Sequence, residues 1–196
     1  MGGKLLENKK LKMARLYEAA YDLFTSKGVH ATVVDEIVRH AGVAKGTFYL
    51  YCRDKYDLVD KVIIRKTSAL LEKTMLALAQ KKEKQPLSFQ ESVIFFVDSL
   101  IHAFQNDTRF LELVFKNLSP ELFEHLFHCT ELEDVRRKFI ENFMLNGGTS
   151  EVAGQRLYLI VCMVGSVSYS SIIMKMPYQF DEIRPELYRS IEQILS

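Results

Sequence analysis

GVHATVVDEIVRHAGVAKGTFYLYCRDK, residues 28–55, carries the clearest structural pattern in this chain. It predicts two short helices joined by a tight turn. Thr32 is the expected cap of the first helix. Asp35 lies three residues later, where its carboxylate can accept a hydrogen bond from the backbone amide of the cap. Gly42 then ends that helix, because glycine readily adopts the left-handed backbone that a sharp turn needs. The pattern is that of a helix-turn-helix, whose second helix enters the major groove of DNA.

The second helix carries side chains suited to contacting DNA. Lys45 stands at its start, where an ammonium group can reach a guanine edge or a phosphate. Hydroxyl groups can donate to phosphate oxygens, and the free amides at a helix start also favour a phosphate. The candidate DNA-binding residues are therefore Thr32, Lys45, Gly46, Thr47, Tyr49 and Lys55. The alternative is a three-helix unit with a solvated basic face and no role on DNA.

Two segments resemble a known family. AGVAKGTFYLYCRDKYDL, residues 41–58, resembles the signature around the recognition helix of the tetracycline-repressor (TetR) family, and AAYDLFTSKG, residues 19–28, resembles the end of its first helix. The likeness covers less than a third of the 196-residue chain. It implies an all-α protein with an N-terminal helix-turn-helix DNA-binding domain and a C-terminal helical domain for ligand binding and dimerisation. It also implies DNA contacts at the candidate positions.

This chain departs from the family pattern at two positions. Ala44 stands where the family commonly has a serine cap, and losing a cap costs about 1 kcal/mol. Cys52 stands where the family usually has an aromatic residue. We expect Cys52 to be a small buried filler, with a redox-sensitive thiol beside Arg53 and Lys55 as the alternative.

The distribution of charge agrees with a DNA-binding head on a separate body. The chain has a net charge of only +1. Residues 1–56 hold 10 Lys and Arg against 6 Asp and Glu, and residues 57–196 hold 16 against 19. These two ranges are the predicted DNA-binding domain and the predicted effector-binding and dimerisation domain, respectively.

The remaining composition indicates a cytoplasmic helical protein. Only 4 prolines and 9 glycines occur, which favours long helices over a turn-rich β fold. The 3 cysteines have no paired spacing, and no signal peptide is visible. Residues 157–174 carry no charge, but their serines and glycine favour a buried helix over a membrane span.

Helical periodicity extends through the whole chain. Asp54 is the expected cap of a long fourth helix that ends near residue 79, and residues 81–86 are expected to form a loop. Pro185 is expected in the first turn of the last helix. The other predicted helices are 9–27, 32–41, 44–51, 88–105, 108–117, 119–145 with a break near 129–131, 150–175 capped by Thr149 or Ser150, and 181–195.

The last two helices are expected to join two copies of the chain. The resemblance implies a four-helix bundle across a twofold axis, and small residues allow helices to approach closely. The candidate interface residues are Val161, Gly165, Ser166, Ser170, Leu187, Ile191 and Ile194. The alternative is that both helices close the core of a monomer.

The resemblance also implies a small-molecule pocket in the body, which is rich in phenylalanine. An aromatic and Met-lined cavity suits an apolar or aromatic effector. The candidate lining residues are Phe96, Phe104, Phe115, Phe139, Phe143, Tyr158 and Met163.

The predicted function is a homodimeric transcriptional regulator, most simply a repressor that a small-molecule effector releases from its DNA operator. No cofactor is expected, and the motifs of common enzyme classes are absent. The alternative is a DNA-binding protein of the same fold controlled by a protein partner or a metal. A partial metal site is conceivable at His125, His128 and Cys129, with His102 as a further ligand.

Overall fold

The computed structural model describes residues 2–127 and 130–196, and helices are the regular structure in this part of the chain. Their bounds are α1 (Gly2–Lys27), α2 (Val34–Ala41), α3 (Lys45–Tyr49), α4 (Lys55–Lys84), α5 (Phe89–Asn106), α6 (Thr108–Asn117), α7 (Pro120–Phe127), α8 (Thr130–Leu145), α9 (Ser150–Ser168) and α10 (Phe180–Leu195). A π-helical segment, Tyr169–Met174, extends α9.

The helix-turn-helix forms as predicted at its turn and differs at its start. Gly42 adopts φ 62° and ψ 41°, and its amide donates to carbonyls at the end of α2. The prediction that Thr32 caps α2 is wrong, because α2 begins at Val34 with Val33 in the capping position and no side-chain cap bond. The Thr32 hydroxyl instead donates to the Gly28 carbonyl, at 2.8 Å.

The first hydrophobic cluster closes the head, which comprises α1, α2, α3 and the first turns of α4. Phe48 from α3 is fully buried in it, and Tyr51 packs against it. Leu58, Val59, Val62 and Ile63 of α4 belong to the same cluster, and so do Phe110, Leu113 and Leu122 from α6 and α7. A boundary after residue 56 therefore cuts α4 in its first turn and divides this core.

The fourth helix is the longest element and connects the head to the body. Asp54 caps it as predicted, accepting from the amides of Tyr56 and Asp57. The prediction of a loop at residues 81–86 is wrong for residues 81–84, because α4 continues to Lys84. Three lysines in its last turn oppose the negative end of the helix dipole. The 30 residues of α4 span about 45 Å.

The second hydrophobic cluster joins α5, α8, α9 and α10 in the body. Ser88 and Glu91 form a capping box at the start of α5, and Thr149 caps α9. Pro185 was expected in the first turn of the last helix but lies in the second turn of α10, as its sixth residue. It is tolerated there because Pro185 and Asp181 are exposed, so water can reach the carbonyl that lacks its amide partner.

The helix formed by α9 and the π-helical segment is unusually apolar for its exposure. Ser150–Met174 is long and apolar enough to cross a membrane, and only 22% of its most apolar window is buried within the chain. Length and composition are weak evidence for a membrane span. An exposed apolar face on a helix equally fits a surface that another protein chain covers.

Candidate functional site: the helix-turn-helix head and the cavity of the body

Lys45 and Tyr49 project from α3 into solvent on the exposed side of the head. Lys45 Nζ lies 2.6 Å from an Asp35 carboxylate oxygen, which joins α3 to the first turn of α2. The hydrogen bond that Lys45 donates to Asp35 raises the pKa of Lys45 and keeps it cationic. Tyr49 is 56% exposed, and its ring stands edge-on to the buried Phe48 at 5.1 Å. Both side chains are therefore positioned by the head core and have accessible ends.

Gly46 and Thr47 complete the first turn of α3. Gly46 is exposed, and no atom lies within 4 Å of the position that a Cβ would occupy. Thr47 is half-buried. The backbone at Gly46 is therefore open to close approach by a duplex.

Thr32 does not offer the groups that the sequence assigned to a DNA contact. Its side chain is fully buried, its hydroxyl donates to Gly28, and its amide donates to the Val29 carbonyl at 3.3 Å. The prediction of a hydroxyl or amide contact from Thr32 is therefore wrong. The residue instead holds the turn that precedes α2.

Lys55 ties the start of α4 to that same turn. Its ammonium donates to the carbonyls of His30, at 2.8 Å, and Thr32, at 2.9 Å. Since an ammonium has three N–H groups, only one remains for a phosphate. Lys55 is thus first a positioning residue for the head.

Sequence reasoning missed further exposed groups beside α3. Arg53 is almost fully exposed, and its guanidinium lies 3.6 Å from Asp57. Tyr56 is also exposed, and its ring lies 6.1 Å from that of His30. The sequence did offer a signal for them, because Arg53 and Tyr56 lie within two residues of Asp54, which caps α4. They add an exposed arginine and an exposed aromatic hydroxyl to the groups of the head that solvent can reach.

Cys52 is buried in the head core. Burial raises the pKa of its thiol, so the neutral thiol is favoured. The filler interpretation agrees with this environment, and a redox-sensitive thiolate does not.

The body contains a partly open cavity of about 590 Å³ between α4, α5, α6, α7, α8 and α9. This volume lies within the range of about 300–1,000 Å³ that is usual for small-molecule sites. Its wall is almost entirely apolar. The predicted liners Phe96, Phe104, Phe115 and Phe139 all face it.

The other predicted liners lie elsewhere. Phe143 is buried in the second cluster, where its ring stacks against Phe139 at 6.3 Å. Tyr158 is exposed on α9, and Met163 packs against the second cluster. None of the three is among the lining residues, so their assignment to the pocket is wrong. Helical spacing alone did not show which way each side chain points.

Tyr21, Lys66 and Asp107 form a junction between the head and the wall of the cavity, here called the Asp107 junction. The Tyr21 hydroxyl lies 2.6 and 2.8 Å from the two Asp107 carboxylate oxygens, and Lys66 Nζ lies 3.2 Å from one of them. Lys66 also sits over the Tyr21 ring, 3.5 Å from its centroid. The three residues come from α1, α4 and the start of α6.

Electrostatics at the Asp107 junction favour the ionised carboxylate. Burial alone would raise the pKa of Asp107, but hydrogen bonds from Tyr21, the Phe110 amide and Lys66 lower it below its ordinary value. Burial and the bond to Asp107 raise the pKa of Tyr21. Asp107 also caps α6, since it accepts from the Phe110 amide at 3.1 Å.

The seven predicted dimer residues lie in three kinds of environment. Leu187 and Ile191 are 2% and 0% exposed within the core of their own chain, so their assignment to an interface is wrong. Their stripe on α10 packs inward against the second cluster. Val161, Gly165 and Ser166 line the cavity, while Ser170 and Ile194 are half-buried.

Exposed apolar residues lie on the same face of the helix as Ser166 and Ser170, which follow Leu159 by about two and about three helical turns. Leu159 is 53% exposed, and Val152 and Met174 are also exposed along the same helix. This face, here called the α9 face, is available to a second chain.

The conceivable metal site receives no support from the described residues. His128, Cys129 and the side chain of His125 lie outside them. Among the side chains that the structure does describe, no group of three from His, Cys, Asp or Glu is placed to hold a metal ion.

Comparisons with known proteins agree with the geometry of the head. Residues 16–62 match the model of bacterial regulatory proteins of the tetR family. The fatty acid metabolism regulator protein of Bacillus subtilis (strain 168) is 31% identical over 85 residues, which cover 42% of this chain and 44% of that relative. The matched stretch thus spans less than half of the relative's length.

Solved structures resemble the chain along nearly its whole length. A TetR-family transcriptional regulator from Syntrophomonas wolfei has a TM-score of 0.69 at 16% identity, with 95% of each chain covered. The regulator FadR from Bacillus subtilis, in complex with stearoyl-CoA, has a TM-score of 0.66 at 17% identity, with 93% of this chain and 97% of the other covered. Identities this low show the fold alone.

The head matches the DNA-binding part of bacterial regulatory proteins of the tetR family over residues 16–62. The chain as a whole shares the fold of solved TetR-family regulators.

Proposed function

We propose that this chain is a homodimeric, cytoplasmic DNA-binding repressor whose affinity for its operator falls when a small molecule occupies the cavity. The observation that carries the proposal is the Asp107 junction. It connects α6, which lines the cavity, directly to α1 of the head. A ligand that moves the start of α6 therefore acts on the head through a hydrogen bond.

The mechanism is a shift between two populated states. Effector binding favours a state in which α4 and α6 move and the two heads no longer match successive major grooves, which lie about 34–36 Å apart. A coupling free energy of about 1–3 kcal/mol changes the affinity for DNA by about 5- to 150-fold. Helix α4 forms part of the head core and part of the cavity wall. DNA binding and effector binding therefore both act on the position of this helix.

The effector is an elongated apolar molecule. Between Thr67 and Lys82, which both line the cavity, α4 advances about 22 Å. A long and almost wholly apolar cavity suits a hydrocarbon chain better than a compact polar metabolite. The structure of FadR from Bacillus subtilis with stearoyl-CoA supports a long-chain acyl compound as the effector class.

Dimerisation follows from the α9 face. A single short recognition helix gives little sequence specificity, so two heads are needed to read a site of useful length. The exposed apolar side chains of α9 supply a surface for this contact, with α10 beside it.

The proposal is tested by measuring operator binding with and without ligand. Genomic fragments captured by the immobilised protein provide the DNA, and fluorescence anisotropy gives its affinity. A long-chain acyl compound should raise the melting temperature and weaken binding to the captured fragment. If a compound stabilises the protein without changing its affinity for DNA, that compound binds the protein but is not an effector of operator binding.

The alternative is the same DNA-binding fold controlled by a protein partner or a metal. If no acyl compound raises the melting temperature and a chelator changes operator binding, a metal sensor replaces the proposed effector mechanism.

A further inference from the structure

Two lysines line the cavity. Lys82 is in the last turn of α4, and Lys138 is on α8 next to Phe139. The ring of Phe139 lies 5.3 Å from that of Phe89, which opens α5 just after the end of α4. This contact indicates that the end of α4 and the turn of α8 that carries Lys138 meet at the same end of the cavity, and both lysine side chains are exposed.

Neither lysine is neutralised by a carboxylate in the described part of the chain. The acids near Lys138 on α8 already have partners: Glu133 pairs with Arg136, and Asp134 and Glu141 pair with Arg137. Near Lys82, the carboxylate of Glu91 accepts the Ser88 amide in the capping box. Two positive charges therefore remain at the mouth of an apolar cavity.

A hydrocarbon chain that ends in an anionic group is the chemical complement of this arrangement. The apolar wall binds a hydrocarbon chain, and two ammonium groups from different helices attract an anion at its end. Lysine acts as a compact point charge with rotatable donors, so it accepts either a carboxylate or a phosphate without requiring a planar partner. A neutral ester of the same chain length would gain the apolar contacts and lose the charge attraction.

We propose that Lys82 and Lys138 bind the anionic head group of a long-chain amphiphile and thereby distinguish charged from neutral ligands of the same length. The inference rests on the proposed role of the cavity as the effector site. The shared chemistry is an anion on a hydrocarbon chain, which a free fatty acid and an acyl thioester with a phosphate-bearing carrier both provide.

The test compares palmitate, palmitoyl-CoA and methyl palmitate as competitors of Nile red, a neutral fluorescent probe, on the full-length protein. The variant is the double substitution Lys82→Gln and Lys138→Gln. Its control is Lys84→Gln, which removes an exposed lysine from the same last turn of α4 that does not line the cavity. Circular dichroism confirms that all three proteins are equally folded.

Wild-type protein should bind at least one of the anionic ligands about 3- to 10-fold more tightly than the ester, as expected for two solvent-exposed charge contacts. The double variant should lose that preference while its affinity for the ester stays unchanged, and Lys84→Gln should keep it. Loss of preference for palmitate assigns a carboxylate, and loss for palmitoyl-CoA alone assigns a phosphate.

Equal affinities of wild-type protein for the acid, the thioester and the ester would overturn the inference and leave the cavity as an effector site. A preference that survives in the double variant would also overturn it. If none of the three ligands displaces Nile red, the proposed effector class itself fails, which is a separate result.

Discussion

The Tyr21 hydroxyl donates to the Asp107 carboxylate across 86 residues of sequence, and this bond links the first helix of the head to the helix that lines the cavity. Lys66 joins the same carboxylate from α4. The contact is polar, directional and half-buried. It is therefore sensitive to small displacements of α6 in a way that an apolar contact is not.

Tyr21→Phe removes the hydroxyl and keeps the ring beneath Lys66. We expect the free energy of unfolding to fall by about 1–2 kcal/mol, since one hydrogen bond to a charged group is lost. We also expect a smaller change in operator affinity on adding effector. Urea unfolding and anisotropy measure the two effects.

Tyr17→Phe is the matched control for Tyr21→Phe. Tyr17 lies one turn earlier on α1, with its ring 5.1 Å from the Arg65 guanidinium. The control should leave the coupling between effector and operator unchanged. If both variants respond to effector like the wild-type protein, the Asp107 junction does not transmit the signal.

The junction also makes stability depend on pH in the acid range. The pKa of Asp107 is lowered in the folded protein, so its contribution to stability is complete above the unfolded value of about 3.9. That contribution is lost as pH falls through the lower folded pKa. The Asp107→Asn variant has no titrating carboxyl group at this position. Its free energy of unfolding should therefore lie below that of the wild-type protein at pH 7 and approach it near pH 3. A constant difference between the two unfolding free energies from pH 7 to pH 3 would contradict the assignment.

Lys45→Ala combined with Tyr49→Ala should abolish operator binding without unfolding the dimer. Both side chains are exposed on α3, and the fully buried Phe48 between them keeps the head core intact. Anisotropy with a captured genomic fragment measures the loss, and sedimentation confirms the dimer. Unchanged affinity would refute α3 as the reading helix.

Raising salt should weaken operator binding of the wild-type protein steeply. A protein that contacts several phosphates loses about 10³- to 10⁵-fold in affinity between 50 and 200 mM salt, because bound counterions are released. A flat response over this range would mean that the basic head makes few phosphate contacts.

Leu159→Glu should convert the proposed dimer to a monomer. The substitution places a charge on the α9 face, where Leu159 is 53% exposed in one chain. Leu76→Glu is the control, because Leu76 is 65% exposed on α4, away from α9. Sedimentation equilibrium should show a monomer for the first variant and a dimer for the second. Two dimers would exclude the α9 face from the interface.

Local sequence signals predicted much of the fold because they act within a few residues. Gly42 ends α2 and Asp54 caps α4, and both effects depend on backbone geometry that neighbouring residues determine. The cap at Thr32 failed for a tertiary reason. Its hydroxyl turns into the head and bonds to Gly28, so the residue acts in the preceding turn.

The site was harder to predict because it depends on helix rotation and on contacts distant in sequence. Leu187 and Ile191 form a clear apolar stripe, but a stripe does not reveal whether it faces its own core or a second chain. The same limit applies to Phe143, which packs in the core beside the lining residue Phe139. The bond between Tyr21 and Asp107 leaves no trace in sequence spacing.

The head of this protein is not a removable module, and this constrains the engineering of hybrid sensors. Its core is completed by Leu58–Ile63 of α4 and by Phe110 and Leu113 of α6. A chimaera joined at residue 56 would lack the apolar partners on which α1 and α3 rest. A functional hybrid would have to carry α4 past Ile63 and supply its own acidic cap opposite Tyr21.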